Sequence, residues 1–172
     1  MSEYSSFGFY NGGEEAGASQ RHKHLQMVPL PLTPEGPDVP IEPLLKEAQF
    51  DDNLGIIPAL PFSHVFARLE EKHVASPFAA ARKSLELYSA MLEKLGFESP
   101  RSYILKRQSK PYCLLVTRQW MLLVPRSREF LDSISINSLG FAGALLVRDS
   151  MQMDLIKKVG PMNVLKSVAL PL

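Results

Sequence analysis

Proline spacing places the strongest constraint on how this chain can fold. Eight of its fourteen prolines lie between Pro29 and Pro61, and each lacks a backbone N–H that a helix would use. The stretch VPLPLTPEGPDVPIEP, residues 28–43, is therefore typical of a long surface connection rather than a helix. The later run IIPALPF, residues 56–62, is apolar enough to be buried, and we expect its second half to dock as an edge strand.

The clearest helix is predicted over residues 76–97, SPFAAARKSLELYSAMLEKLGF. Ser76 is a favourable N-cap, Pro77 suits the first helical position, and Gly96 can close the last turn. Apolar residues recur at three- and four-residue spacings, which predicts one buried face. That face consists of Phe78, Ala81, Leu85, Tyr88, Leu92 and Leu95.

Short apolar runs in the second half of the chain predict further elements. PYCLLVTR and WMLLVPR predict a tight antiparallel hairpin that turns near Arg118 and Gln119. SLGFAGALLVRD and SMQMDLIKKVG predict two helices, separated near Asp149 and ending at Gly160. Because strands and helices are clustered without strict alternation, we expect an α+β fold with an antiparallel sheet.

Composition excludes several classes of protein. The 172 residues suffice for one compact unit, and 19 basic against 18 acidic residues give no long-range attraction to nucleic acid or to anionic membranes. The single cysteine, Cys113, excludes an intramolecular disulfide and a multi-cysteine zinc site. The longest apolar run, residues 140–147, is far shorter than the ~20 residues that cross a bilayer. We expect a soluble, cytoplasmic protein without nucleic-acid or membrane partners.

The segment GASQRHKHLQ, residues 17–26, carries the most chemistry. If HKHLQM is a strand, His22, His24 and Gln26 share one face, after a loop rich in glycine whose N–H groups can approach an anion. An unprotonated imidazole can attack phosphorus, so His24 is the candidate nucleophile and His22 a supporting residue. Ser19, Gln20 and Gln26 are candidate donors to the phosphate oxygens. A neutral amide is a poor proton donor, which favours transfer to an anion over hydrolysis.

Two other interpretations of the histidines stay open at this point. His-x-His on a strand is also half of a zinc site, but the remaining histidines, His64 and His73, have no recognisable ligand spacing. The pair could equally be two half-exposed histidines of purely structural character on an edge strand beside a glycine turn.

The string FYNGGEEAGASQRHKHLQ closely resembles the active-site signature of the ATP adenylyltransferases, or diadenosine tetraphosphate phosphorylases. LPFSHVFARL, YCLLVTRQWMLLVPRSRE and ISINSLGFAGALLVRD resemble the C-terminal region of the same family, which belongs to the histidine-triad superfamily alongside galactose-1-phosphate uridylyltransferase. The resemblance implies a histidine-triad-like antiparallel sheet with packed helices. It also implies phosphorolysis of diadenosine tetraphosphate to ADP and ATP through an adenylyl-histidine, and the reverse transfer.

The resemblance assigns roles to particular residues. His24 matches the histidine that is adenylylated, and Gln26 matches the amide that binds the α-phosphate. Arg148 stands where a lysine is common, and keeps its charge with a different geometry. The remaining matches are phosphate-binding positions, Asn11, Gly17, Ala18, Ser19 and Gln20, and a nucleotide-contacting turn, Asn137, Ser138 and Leu139.

Members of this family carry a substantial region before the FYN motif, whereas only eight residues precede Phe9 here. We therefore expect an N-terminally truncated form of the fold, with residues 1–62 as part of the catalytic core plus the proline-rich connection and residues 63–172 as the C-terminal region. A partner chain could complete the sheet. The expected ligands are diadenosine tetraphosphate, ATP, ADP and phosphate, with no resident cofactor and Mg²⁺ only as a companion of the nucleotide. The alternative is a catalytically incomplete remnant that binds nucleotide or phosphate.

Overall fold

A computed structural model describes residues 4–20, 22–70, 76–97 and 110–172. Within these ranges seven strands form one antiparallel sheet in the order β2-β1-β6-β7-β5-β4-β3, and β8 pairs with β9 as a separate hairpin. The strands are β1 (Ser6–Gly12), β2 (Leu25–Pro29), β3 (Gln49–Asp51), β4 (Leu54–Ile56), β5 (Val65–Arg68), β6 (Tyr112–Val116), β7 (Trp120–Pro125), β8 (Phe130–Leu131) and β9 (Ile134–Ser135). The expected α+β class with an antiparallel sheet is confirmed.

Helices cover both faces of the large sheet. A 3-10 turn, Glu14–Ala16, follows β1, and the α-helices are α1 (Glu42–Leu45), α2 (Pro77–Lys94), α3 (Ser138–Phe141), α4 (Ser150–Val159) and α5 (Pro161–Val168). None of the helices in the described ranges is long and apolar enough to cross a lipid bilayer.

Alternation along the strands creates two hydrophobic cores, one on each face of the sheet. Phe7 and Phe9 point to the first face, where they pack with Trp120, the proline-rich connection and helices α3 to α5. Tyr10 points to the second face, where it packs beneath α2. Each fully buried aromatic or aliphatic side chain contributes about 1.5–3 kcal/mol, so the two cores together hold the sheet between its covering layers.

The hairpin predicted in the middle of the chain is confirmed. Strands β6 and β7 pair from Tyr112 opposite Pro125 to Val116 opposite Met121. Thr117 closes the turn, because its Oγ1 accepts the N–H groups of Gln119 and Trp120 at 3.1 Å each. These two strands occupy the centre of the sheet, which explains their nearly continuous apolar sequence.

Helix α2 begins and ends close to the predicted positions, and the C-terminal half of its predicted buried face, Tyr88, Leu92 and Leu95, packs against the second core, whereas the N-terminal half is wrong. Ser76 Oγ accepts Ala79 N–H at 3.2 Å as the N-cap. Phe78 is 80% exposed and Leu85 is 58% exposed, although both belong to the predicted face. The buried residues of α2, Leu87, Ser89, Met91 and Leu92, all lie in its C-terminal half. Only that half lies over the core, so the apolar periodicity of the first turns does not correspond to burial.

The apolar run 56–62 is buried as predicted, but its second half is not an edge strand. Ile57, Leu60 and Phe62 belong to the core of the first face. Their backbone is held by a turn and by His64, whose Nε2 accepts Ile57 N–H at 2.8 Å while Nδ1 donates to Phe62 O at 2.7 Å. Because the imidazole satisfies these backbone groups, no neighbouring strand is needed.

Of the two helices predicted near the C-terminus, the first requires correction and the second is confirmed. The first predicted helix is helical only over α3, because Gly143 adopts φ +97° and a Cβ there would lie 2.8 Å from Pro40 Cβ. The second is confirmed as α4, with Asp149 Oδ1 accepting Gln152 N–H at 2.9 Å. Helix α4 ends before Gly160 and Pro161 as predicted, and Pro161 opens a further helix, α5, at a position where a missing N–H is tolerated.

Candidate active site

The loop after β1 brings Gly17, from the predicted phosphate-binding loop, against Asn137, from the predicted nucleotide-contacting turn. We call this contact between the two segments the junction. The 3-10 turn is followed by Gly17, whose φ of +81° lies in the left-handed region. A Cβ added to Gly17 would lie 3.1 Å from Asn137 Cβ, so glycine permits the close approach of two segments that are distant in sequence. The structure therefore places the half-buried Gly17 beside the start of α3, while Ala18 is half-buried and the following Ser19 and Gln20 are exposed.

Two asparagines use their side-chain oxygens inside this junction. Asn137 Oδ1 accepts Leu139 N–H at 2.9 Å and thereby caps α3, while Asn11 Oδ1 accepts Ser138 N–H at 2.9 Å. Since an oxygen must accept these N–H bonds, the Nδ2 groups are the remaining ends of both amides. Within the described part of the chain neither Nδ2 has a hydrogen-bond partner, and neither is cut off from solvent. The junction thus presents two free amide donors, a pair suited to an anion.

Ser138 lies beneath this pair rather than at its surface. The residue is fully buried, and its hydroxyl lies 2.6 Å from Asn11 Oδ1 and 3.1 Å from Tyr10 O. Its side chain therefore orients Asn11, and Leu139 is half-buried with its N–H held by Asn137. Of the three residues in the predicted nucleotide-contacting turn, Asn137 is the one whose side chain has a free N–H donor, at Nδ2.

The histidine segment lies beside these amides at the edge of the sheet. Gln26 pairs with Phe9, and the paired register ends with Tyr10 opposite Leu25, so that His24 lies one residue beyond the last pair, at the end where Asn11 follows Tyr10. Opposite residues share a face, so Gln26 and Asn11 lie on the first face. Strand β2 begins only at Leu25, which corrects the prediction of a strand from His22 onward.

Both histidines precede β2 and are open to solvent. The rings of His22 and His24 meet edge to face with centroids 5.9 Å apart, and Gln26 is exposed beside them. The remaining predicted contact, Arg148, is exposed before α4, and its backbone N–H donates to Gln152 Oε1 at 2.9 Å. In the described ranges its guanidinium forms no hydrogen bond or ion pair with the other predicted residues.

The other face of the same edge carries an apolar cavity of about 480 Å³. Lys23, Leu25 and Met27 line it from the β2 side, and Gln26 between them also contributes to its wall. Its floor includes Tyr88 and Tyr112, whose hydroxyls hydrogen-bond to each other, and burial raises the pKa of both phenols. Among the described residues that line the cavity, Lys23 is the one with a charged side chain, and most of the others are apolar or aromatic.

A buried arginine, Arg126, lies below the junction, and no motif in the sequence predicts a role for it. Arg126 is 1% exposed, and its guanidinium contacts the backbone on both sides of the amide pair as well as Cys113 Sγ at 3.1 Å. Burial raises the pKa of the Cys113 thiol, although the charge of Arg126 and hydrogen bonds from Ser138 and Arg126 oppose this shift. Cys113 is therefore a buried packing group, and its sulfur accepts a hydrogen bond from the Arg126 guanidinium.

The described residues contain no group of three or more His, Cys, Asp or Glu side chains that could hold a metal ion. His64 uses both ring nitrogens inside the protein and burial lowers its pKa, while His73 lies outside the described residues. The free donors of Asn11 and Asn137 are amide N–H groups, which match phosphate oxygens rather than a cation.

The fold of the chain is similar to that of a known class of enzyme, the Ap4A phosphorylases. A crystal structure of yeast Ap4A phosphorylase Apa2 superposes with a TM-score of 0.72 at 23% identity, over 97% of this chain and 56% of that one. The structure of Apa2 in complex with Ap4A gives a TM-score of 0.69 at 23% identity, over 97% and 55% of the two chains. These likenesses establish a shared fold.

The family follows from the sequence. Residues 58–171 match the model of the ATP adenylyltransferase C-terminal domain, and residues 1–47 match the Ap4A phosphorylase N-terminal domain. The chain therefore belongs to the ATP adenylyltransferase family. Diadenosine 5',5'''-P1,P4-tetraphosphate phosphorylase 2 of Saccharomyces cerevisiae is 27% identical over 85% of this chain and 46% of its own length. Protein APA1 of the same yeast is 28% identical over 82% and 44%. The chain thus spans about half the length of these relatives.

Proposed function

We propose that this chain carries the nucleotidyl-transfer centre of a diadenosine tetraphosphate phosphorylase. The observation that supports this most directly is the junction of the Gly17 loop with Asn137, where two amide donors stay free beside the segment that holds His24. A phosphate chain lying along this junction would meet neutral donors on one side and an imidazole on the other. This arrangement is the one that in-line transfer to a histidine requires.

The proposed reaction has two balanced steps. Nitrogen of neutral His24 attacks the α-phosphorus of the dinucleotide, forms a P–N bond and expels ATP, and inorganic phosphate then attacks the adenylyl group to release ADP and free His24. Asn11, Asn137 and Gln26 donate N–H bonds to the oxygens on which charge develops. Gln26 cannot supply a proton to the leaving group, but ATP leaves as a stable anion and needs none. A Mg²⁺ ion that arrives with the nucleotide would neutralise part of its charge.

Strand β2 is the proposed attachment point for a partner segment. Its outer edge is unpaired in the described part of the chain, and Leu25 is 73% exposed beside Met27 and the apolar cavity. Unpaired edges with apolar side chains readily accept another strand. The matched relatives are about twice as long, which supports a complete enzyme in which additional polypeptide covers this edge and His24.

We also propose that the protein is located in the cytosol.

Labelling with α-³²P-ATP or labelled diadenosine tetraphosphate tests the covalent step. We expect acid-labile, base-stable label on the wild-type protein and none on His24→Ala, whereas Lys23→Ala, whose side chain lines the apolar cavity, keeps it as a matched control. Native circular dichroism of all three proteins excludes unfolding as the cause. Absence of label on folded wild-type protein would overturn the proposal.

The exposure of His24 and Gln26 favours a second candidate, an incomplete remnant that binds phosphate without turnover. Release of ADP and ATP from diadenosine tetraphosphate in the presence of phosphate distinguishes the two. Robust product formation eliminates the remnant, while binding without product eliminates the enzyme. Elemental analysis for zinc in the same preparation tests the remaining histidine hypothesis, a metal site.

A further inference from the structure

Arg126 carries a charge in the centre of the protein without a carboxylate beside it. The residue is 1% exposed, and within the described ranges it forms no ion pair. Its charge is solvated only by neutral groups, chiefly backbone carbonyl oxygens and the Cys113 sulfur. Burying an unpaired cation is costly, so such an arrangement needs a reason.

The hydrogen bonds of Arg126 reach both halves of the candidate active site. Nη1 donates to Ala16 O at 3.5 Å, directly before Gly17, and Nη2 donates to Ile136 O at 2.8 Å, directly before Asn137. The ring of Phe141 in α3 lies 5.1 Å from the guanidinium carbon, so the same group also supports the helix that Asn137 caps. A planar, rigid fork thus spans the junction from below.

The other donors of Arg126 anchor this fork to the rest of the fold. Nε donates to Val168 O at 3.1 Å at the end of α5, and Nη2 also donates to Arg128 O at 2.8 Å. With Cys113 Sγ as the further acceptor of Nη1, all five N–H groups are occupied. The guanidinium therefore cannot swing to meet a ligand, and any influence on a bound phosphate acts through the segments that it holds and through its charge.

We propose that Arg126 is a positioning residue for phosphate: it sets the separation of the Gly17 loop from Asn137 and supplies the buried positive charge that the bound phosphate neutralises. This inference rests on the proposed function for the identity of the anion. Electrostatic attraction to a buried charge is stronger than in water because the protein around Arg126 has a lower dielectric constant, so a phosphate above the amide pair would compensate the cation below it. The free amides contribute geometry, and Arg126 contributes the charge that they lack.

The test compares Arg126→Lys and Arg126→Met with wild type, using inorganic phosphate and AMP as probes. Lysine keeps the charge but reaches only one of the two carbonyls, so we expect roughly tenfold weaker binding with a phosphate-induced rise in melting temperature that persists. Methionine removes the charge, and we expect binding weakened by about a hundredfold and no such rise. Arg128→Met is the matched control, because Arg128 is exposed and its Nε donates to Ser167 O outside the junction.

A merely structural role would lower the melting temperature of both variants without separating their response to phosphate. Equal phosphate responses in the two variants, wild-type affinity in either, or no phosphate binding by wild type would each overturn the inference. If Arg126→Met does not fold, Arg126→Lys decides alone, since wild-type affinity there contradicts the spanning role. Titration of His24→Ala with inorganic phosphate separates this inference from the proposed function, because the variant lacks the nucleophile but keeps Arg126. Phosphate binding that depends on Arg126 but comes without adenylyl-histidine would refute the proposed reaction and leave this inference standing.

Discussion

Substitution of Gly17 by alanine tests whether the junction of the two motifs is as close as the structure indicates. Gly17 adopts φ +81°, and an added Cβ would lie 3.1 Å from Asn137 Cβ and 3.4 Å from Ile136 O. Gly96 offers a matched control, because it adopts φ +68° and an added Cβ there meets no atom within 4 Å. The two substitutions share the backbone penalty and differ in the contact with Asn137.

The shared penalty follows from the left-handed backbone. An alanine in this region costs about 1–2 kcal/mol, which lowers the melting temperature of a chain of this size by about 2–8 °C. Gly17→Ala must in addition push Asn137 away by a few tenths of an ångström, which loosens the cap that Asn137 Oδ1 places on Leu139 N–H. An N-cap of this kind contributes roughly 0.5–2 kcal/mol, equivalent to about twofold to thirtyfold in an opening equilibrium.

Amide hydrogen exchange at Leu139 measures this loosening directly. We expect exchange to be faster by that factor in Gly17→Ala and unchanged in Gly96→Ala, although both variants melt earlier than wild type. The readout needs no ligand, so it does not depend on the proposed activity. Unchanged exchange at Leu139 in Gly17→Ala, or equal acceleration in both variants, would refute the contact between the Gly17 loop and the cap of α3.

Three further outcomes follow from other groups. Burial lowers the pKa of His64, so the unfolded state binds more protons below the reference value of about 6.5, and the free energy of unfolding should fall as pH drops through that window. Urea denaturation across pH should show this fall in wild type and a flatter profile in His64→Gln. The Cys113 thiol is buried and its pKa is raised, so a thiol reagent should label it only at the rate of unfolding, and rapid labelling of native protein would contradict that. Ser76→Ala should cost about 1 kcal/mol by calorimetry through loss of the cap on α2, while Ser150→Ala, where Asp149 is the cap, should cost far less.

Local signals predict elements better than they predict which side of an element is buried. The caps of α2 and the Thr117 turn depend on neighbouring residues, and both occur where the sequence places them. The buried face of α2 depends on where the sheet ends beneath it, which no spacing within the helix encodes. Phe78 therefore fits the periodic pattern and still lies in solvent.

The candidate site shows the same division. The residue types around His24 indicate phosphate chemistry by themselves, but the contact of Gly17 with Asn137 joins segments more than a hundred residues apart and follows only from the tertiary packing of the whole chain. Arg126 carries no signal at all in the sequence, since Arg128 has the same side chain two residues later and is exposed. The two arginines differ in position: Arg126 directly follows the end of β7 at Pro125, beneath the junction, and its side chain points inward to Ile136 O.

The two sides of the candidate site are held with very different rigidity. Asn11 and Asn137 are fixed by buried hydrogen bonds to α3, and their segments are tied to Arg126, so their donors are already in place before a phosphate binds. His24 and Gln26 lie exposed at the unpaired edge of the sheet, where the ring of His24 packs only on the equally exposed ring of His22 among the described residues. Ordering such side chains costs about 0.5–1.5 kcal/mol each, and the cost must be met by whatever docks along β2 or by the nucleotide itself. Polypeptide added at β2 should therefore raise the rate of adenylyl transfer much more than it raises the affinity for phosphate.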